Sequence, residues 1–421
     1  MSDRIRFFIN RIHERLWVKP LAMSVLSAAI VFMVKILDIE EVGQFVPAIS
    51  EASIQTLLTI VSGSMLMVAT FAVGSMVAAY ASASNNATPR SLPLVISDDV
   101  SQNALSTFIG AFIYSVVALI AMDNSYYDKA GRFVLFVLTL LILTMVIVTF
   151  VRWVDRIARL GRLKGTIDKV EVATTAALKR RRRAPTLGGV SAGRQPVSDS
   201  QNVYGTSIGH VQQINIDRLQ SCAEKLQVRI TLTALPGTFS APGRALAFIT
   251  PDSGVVEDID ISQIAKAFFI GDDRKFEEDP RFGLVVLSEI AGRALSPAVN
   301  DPGTAIYIIG VFVRLFALWC EPLEEGDAQE RDNDRVEVPE IAIRDMFDDA
   351  FTAIARDGAG AIEVTGRLQK ALESLVSIGD LAMRDAALHH SRLALSRAEH
   401  VLQIPEDLQI VRDLASFSKD I

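Results

Sequence analysis

One run of sequence limits what this chain can fold into more than any other. From Ile54 to Tyr80 it reads IQTLLTIVSGSMLMVATFAVGSMVAAY, without a charged side chain. As a helix it is long enough to cross a bilayer core with tilt to spare. Lipid alone would select Leu and Ile, yet Thr56, Thr59, Ser62, Gly63, Ser64, Thr70, Gly74 and Ser75 bring hydroxyls and bare backbone into the segment. Thr70, Gly74, Ala78 and Ser82 fall four apart, a small-residue line of the kind that lets another helix approach closely. The segment is expected to form the centre of a membrane domain, and the question it raises is whether it lines something or only packs.

Three further runs have the length and polarity of spans: Leu21–Leu37, with Lys35 near one end where it can snorkel, residues 103–122, and Phe133–Val151. A mean hydropathy of +0.31 over 421 residues agrees with a membrane protein. Residues 1–20 are basic and amphipathic and suit an interfacial helix. Arginines and lysines crowd that end and the segment after the fourth span (Arg152, Arg156, Arg159, Arg162, Lys164), while the loops between are acidic or nearly neutral. Both termini are therefore expected in the cytoplasm. The net charge of −7 argues against a nucleic-acid partner. Cys222 and Cys320 fit no disulfide or metal framework.

Beyond the membrane domain (residues 21–154), residues 155–202 read as a helix, a basic run Lys179–Arg183 and a flexible Gly/Ser/Pro linker. Residues 203–272 alternate in short runs broken by Pro-Gly turns, which predicts a small cytoplasmic β-barrel-like module, with a helix capped by Asp217. Residues 273–421 read as an α-helical cytoplasmic domain, interrupted by an exposed acidic loop over 321–340. The fold class expected is an α+β membrane protein with four transmembrane helices.

Several motifs invite a chemical reading. Gly205-Thr-Ser207-Ile-Gly209 has the spacing of a nucleophile elbow, but a strand-like run follows where that elbow needs a helix. His389-His390, with Asp385 one turn before, lacks a third metal ligand at helical spacing. Asp327, Asp332 and Asp334 lack the glycine and distal glutamate of a calcium loop. The paired Pro-Gly turns of the β module suggest lipoyl-type half-barrels, but no lysine stands at a tip, so no cofactor is expected. Nothing argues for an enzyme. Arg293-Ala-Leu-Ser296-Pro-Ala-Val-Asn300-Asp301-Pro-Gly-Thr304 is a candidate corner in which Asn300 or Asp301 caps the next helix. The same residues could hold a small anion or a partner's carboxylate.

These motifs resemble one family. Thr88-Pro89-Arg90 after a small-residue span is similar to its "SPR". Gly209-His-Val-Gln-Gln-Ile-Asn resembles its "GYVQ-x-ID", with Asn215 in place of the usual Asp, and Pro236-Gly-Thr-Phe resembles its "PGDF". The longest match runs from Arg274 to Ala305 and includes Asp279-Pro-Arg-Phe-Gly and Ser296-Pro-Ala-Val-Asn-Asp-Pro. The family is DUF2254, predicted bacterial membrane proteins. The resemblance implies an inner-membrane location and four spans, and it supplies no activity. The expectation is thus a homo-oligomer in the lipid bilayer whose second span lines or borders an ion or small-solute pathway through Thr56, Thr59, Ser62, Gly63 and Thr70, with Gly74, Ala78 and Ser82 as packing positions. A non-conducting scaffold or sensor that binds a cytoplasmic partner is the alternative.

Overall fold

The computed structural model of the protein describes residues 17–36, 47, 49–96, 98–159, 161–192, 200–252, 261–323 and 333–418. Most of the expected interfacial helix lies outside the described residues, as do Asp38, Glu40 and Glu41 of the first loop, Asp327 and Asp332, and part of the expected linker. The chain divides into two compact units, Met1–Thr166 and Ile167–Ile421.

The first unit is a helical bundle: α1 (Val18–Ile36), α2 (Glu51–Asn86), a short α3 (Leu92–Ile96), α4 (Asp99–Asp123) and α5 (Lys129–Arg159). Helices α2, α4 and α5 overrun their apolar runs, with polar residues at their ends. Asp98 caps α4 by accepting from Ser101 N at 3.2 Å, a satisfied orphan donor that moves the helix start upstream of residue 103. Thr88-Pro89 ends α2 instead of Tyr80, and the connection over 81–102 is folded onto the bundle, with Thr88, Ser91, Ser101 and Gln102 buried.

The bundle is built around α4, not around the segment Ile54–Tyr80. Helices α1, α2 and α5 all pack on α4, whose Ala104, Gly110, Ala111, Ser115 and Ala118 leave room for neighbours. At Gly110 an added Cβ would stand 3.2 Å from Ser27 Oγ on α1. Two apolar clusters result. One joins Val31, Ile54, Leu58, Tyr114 and Leu135; the other joins Val61, Met65, Ala69, Phe108 and Trp153. Polar contacts fasten both ends of the bundle. Glu51 pairs with Arg132 at 3.1 Å and Gln55 donates to Asp123 at 2.9 Å. At the other end Lys19 meets Asp99 at 2.5 Å and Arg156 meets Asp98 at 2.5 Å.

The second unit opens with α6 (Leu163–Arg183), within which the two units divide, and continues into two sheets. Strands β1 (Gly189–Ser191), β2 (Gln201–Tyr204), β4 (Val228–Leu232), β6 (Ala245–Pro251) and β8 (Asn333–Val338) form one, in the order β1-β8-β4-β6-β2. Strands β3 (Gly209–Ile214), β5 (Phe239–Ser240) and β7 (Phe268–Gly271) form the other, in the order β5-β3-β7. The expected barrel-like closure is absent among the described residues: β1 and β2 are edges, and their neighbours do not bring them together. The expected acidic loop over 321–340 contains β8, which pairs in parallel with both β1 and β4. Its Val336 and Val338 enter the apolar core, while Glu337 on the other face accepts from Thr231 Oγ1 at 3.0 Å. Strand β1 likewise lies inside the stretch expected to be a linker. Between the strands sits α7 (Ile216–Leu226), capped by Asn215, which accepts from Arg218 N at 2.8 Å, and not by Asp217.

Helices complete the unit: a one-turn α8 (Ser262–Ala265), α9 (Pro280–Ala294), α10 (Pro302–Cys320), α11 (Ile343–Asp357), α12 (Ile362–Ile378), α13 (Leu381–Val401) and α14 (Pro405–Leu414). By length and composition, four helices among the described residues could cross a membrane: α2, α4, α5 and α10; α1 is a shorter apolar helix. Helix α10 behaves as a buried core helix. It packs on α9 and α12, and its Phe312 and Phe316 meet Phe347 and Phe351 of α11 at ring separations of 4.4–5.7 Å. Its Arg314 is bidentate to Glu171 of α6 at 2.7 and 2.8 Å, and Tyr307 donates to Asp168 at 2.8 Å. Such a polar seam against α6 is foreign to lipid.

Candidate functional site

Two clusters of residues carried the sequence-based expectations, and they fare differently. On α2 the bundle-facing stripe is Ile54, Leu58, Val61, Met65, Ala69, Ala72 and Met76, all buried. With 100° per residue, Thr56, Thr59, Gly63, Thr70 and Gly74 fall on the opposite side, and all five are exposed. Where a Cβ would stand at Gly63 or Gly74, no atom of the described residues outside the helix's own adjacent backbone lies within 4 Å. Ser62 is off this line, half-buried beside the stripe. Ala78 is exposed as well, so the small-residue line Thr70-Gly74-Ala78 stands outside the bundle-facing stripe. Ser82 does pack: its Oγ donates to Gly161 O at 3.4 Å. Gly161 has φ +85°, and a Cβ there would stand 3.2 Å from Ala79 O, so the turn after α5 needs glycine both for conformation and for space.

The hydroxyls of this line bond to their own helix. Thr56, Thr59 and Thr70 donate to the carbonyls of Ala52, Gln55 and Leu66 at 2.7–2.9 Å, and Ser62 to Thr59 O at 3.0 Å. They are satisfied without water, as threonines on a lipid-facing helix are.

At the corner, Ser296, Asp301 and Thr304 spend their side chains on the turn itself. Asp301 caps α10, accepting from Thr304 N at 3.1 Å and Thr304 Oγ1 at 2.6 Å. Ser296 Oγ donates to Arg293 O at 2.7 Å. Asn300 takes φ +49°, where Asn is tolerated, and its N–H donates to Ser296 O. The Arg293 side chain is exposed. The carboxylate of Asp301 already occupies the positive end of α10.

Sequence reasoning missed the polar centres that the fold does build. In the bundle, Asp98 (2% exposed) accepts from Ser101 Oγ at 2.9 Å and from Arg156 Nε and Nη2 at 3.0 and 2.5 Å. Its signals were present: an N-cap Asp after a Thr-Pro-Arg turn, and an arginine one turn beyond Trp153. In the second unit Asp279 is buried, caps α9 through Phe282 N at 3.2 Å and accepts from Arg274 Nε at 2.7 Å. Gly237 has φ +95°, and a Cβ there would strike the Asp279 carboxylate, which explains the bare backbone of the Pro236-Gly turn. Arg281 reaches Asp349 at 2.6 Å and Asp345 at 2.7 Å on α11. Gly283 lets α9 lie directly on Thr174 of α6. The basic run at the end of α6 is consumed as well: Arg180, Arg181 and Arg182 donate to the carbonyls of Glu277, Glu278 and Glu321. Burial pulls the Arg181 guanidinium down to about 10, against the pull of Glu278 and Asp279.

His389 and His390 gather no metal set, and no such group of ligands occurs among the described residues. His390 is buried against Phe347 and Phe351, with Nε2 3.0 Å from Asp348 Oδ1. Burial lowers its pKa to about 4 despite that carboxylate. Gly205–Gly209 joins two strands and not a strand to a helix, and Ser207 lends its carbonyl to Ser240 Oγ at 2.9 Å.

A bundle of long apolar helices with polar ends, followed by a unit of mixed sheet and helices, defines an integral membrane protein. The family model described as predicted membrane proteins, DUF2254, matches residues 13–374, and the chain belongs to that family. Uncharacterised proteins from Mycobacterium bovis and from Mycobacterium tuberculosis strain H37Rv are each 29% identical to it over 118 residues, 27% of this chain and 22% of theirs. The match thus spans about a fifth of the length of these relatives. No solved structure matches the chain.

Proposed function

We propose that the protein is a homo-oligomeric, channel-like protein of the bacterial inner membrane, with both termini in the cytoplasm. Copies meet with the outward line of α2 towards a common axis, where Thr56, Thr59, Gly63 and Thr70 border a pathway for ions or small solutes. The second unit, on the cytoplasmic side, assembles and gates it. The reading is non-catalytic, needs no cofactor and involves no nucleic acid. One observation carries it: the polar and glycine residues of α2 lie diametrically opposite its bundle-facing stripe, with open space over Gly63 and Gly74. A helix that met only lipid on that side would gain nothing from glycine there.

The second reading is a non-conducting scaffold or sensor, and the back-bonded hydroxyls favour it, since they need no water. Reconstitution in liposomes separates the two. Flux that is blocked by Gly63→Leu and becomes cation-favouring with Thr59→Asp, in an assembly of unchanged mass, supports the pathway. Absence of flux from an intact wild-type oligomer removes it and leaves the scaffold.

A further inference from the structure

The exposed side chains along one line of α5 change character within a single turn. Leu141, Met145 and Val148 stand on this line, 61%, 43% and 51% exposed. Arg152 follows at the same helical spacing, with Val151 and Val154 exposed on either side. The charges beyond the strip are not equivalent. Arg156 turns inward to Asp98. Arg159 pairs with Asp155 at 3.1 Å, so these two cancel at the surface. The side chains of Arg152 and Arg162 are exposed and make no ion pair or hydrogen bond with any described residue. An apolar strip therefore runs out at guanidinium groups that no described residue neutralises.

In a membrane protein the occupant of such a strip is lipid. An acyl chain lying along Leu141, Met145 and Val148 carries its headgroup to the level of Arg152. Guanidinium groups take phosphate oxygens in a bidentate fork. A zwitterionic headgroup supplies its own cation to that phosphate, whereas an anionic one leaves net negative charge for the arginines. We propose that this end of α5 and the turn after it form a binding surface for an anionic phospholipid, with Arg152 on the helix and Arg162 in the turn as the headgroup contacts and the Leu141–Met145–Val148 line as the acyl contact.

The experiment uses the full chain in non-ionic detergent micelles doped with phosphatidylglycerol or phosphatidylcholine, with bound lipid counted by native mass spectrometry. Wild type should retain phosphatidylglycerol over phosphatidylcholine, and Arg152→Gln with Arg162→Gln should weaken that retention by about thirtyfold, from roughly 1 kcal/mol per charge. The charge-keeping pair Arg152→Lys and Arg162→Lys should retain most of it. Arg293→Gln, an exposed arginine in the second unit, should change nothing. Equal retention of the two lipids by wild type overturns the proposal, as does full retention by the double glutamine variant. Loss on Arg293→Gln equal to that of the double variant also overturns it, because the effect would then be one of net charge. Displacement of the lipid by millimolar inorganic phosphate would show a free-phosphate site and overturn the acyl contact.

Discussion

Breaking the Asp98–Arg156 pair should destabilise the bundle to a degree that depends on which partner is removed. The two side chains are unequally buried, 2% exposed for Asp98 and 39% for Arg156. Arg156→Gln leaves a carboxylate in the bundle interior without its bidentate donor, and loss of a buried partner costs about 3 kcal/mol. Asp98→Asn removes the same attraction, but the arginine left behind can turn to water, and the Asn oxygen can still accept from Ser101 N. Its cost should be about 1 kcal/mol, the size of a charge-assisted hydrogen bond. The double variant should fall near Asp98→Asn, because no charge is then left buried. Equilibrium unfolding in mixed micelles, followed by the fluorescence of the buried Trp153 one turn from Arg156, measures all three. Equal losses for the two single variants, or a larger loss for Asp98→Asn, would refute the argument that burial of the carboxylate sets the magnitude.

Three further outcomes are expected. His390 is neutral in the fold, with a pKa near 4 against 6.5 when unfolded, so its contribution is full above about pH 6.5. It is lost as pH falls towards 4, in total by roughly 3 kcal/mol; thermal melts from pH 7 to 4 should therefore show a shallower decline in His390→Gln than in wild type, and parallel slopes would refute this. Asp301→Ala should lower the stability of the second unit by about 1 kcal/mol through loss of the α10 cap, while Arg293→Ala should leave melting unchanged; a ligand-binding corner would instead show a functional loss in Arg293→Ala without a stability change. A cysteine placed at Asp128 should label from outside intact cells and one at Ser198 should not; labelling of Ser198 would invert the proposed topology.

Much of this molecule follows from local pattern. The apolar runs are visible because a bilayer demands long uncharged helices whatever their neighbours. The cap at Asp301 belongs to the same class, since a cap involves residues three apart. The expected boundaries fall short where such caps extend a helix past its apolar run, as at the start of α4 under Asp98 and at the start of α5, where Asp128 accepts from Gly131 N at 2.7 Å.

What only the tertiary structure decided is relational. Strand β8 was hidden because Val336 and Val338 are its only strongly apolar residues in an acidic stretch, and it becomes a strand only where β1 and β4 supply hydrogen bonds on both sides. The centre of the bundle passed from α2 to α4 for a similar reason: small residues permit close approach on any side, and sequence does not say which side meets a partner. Arg180, Arg181 and Arg182 read as a solvated basic run, yet they donate to carbonyls about a hundred residues away or further. The spans could be read from periodicity and hydropathy alone, because the solvent selects them. The sheet order, the buried charge pairs and the outward face of α2 could not, because they depend on pairings between distant segments.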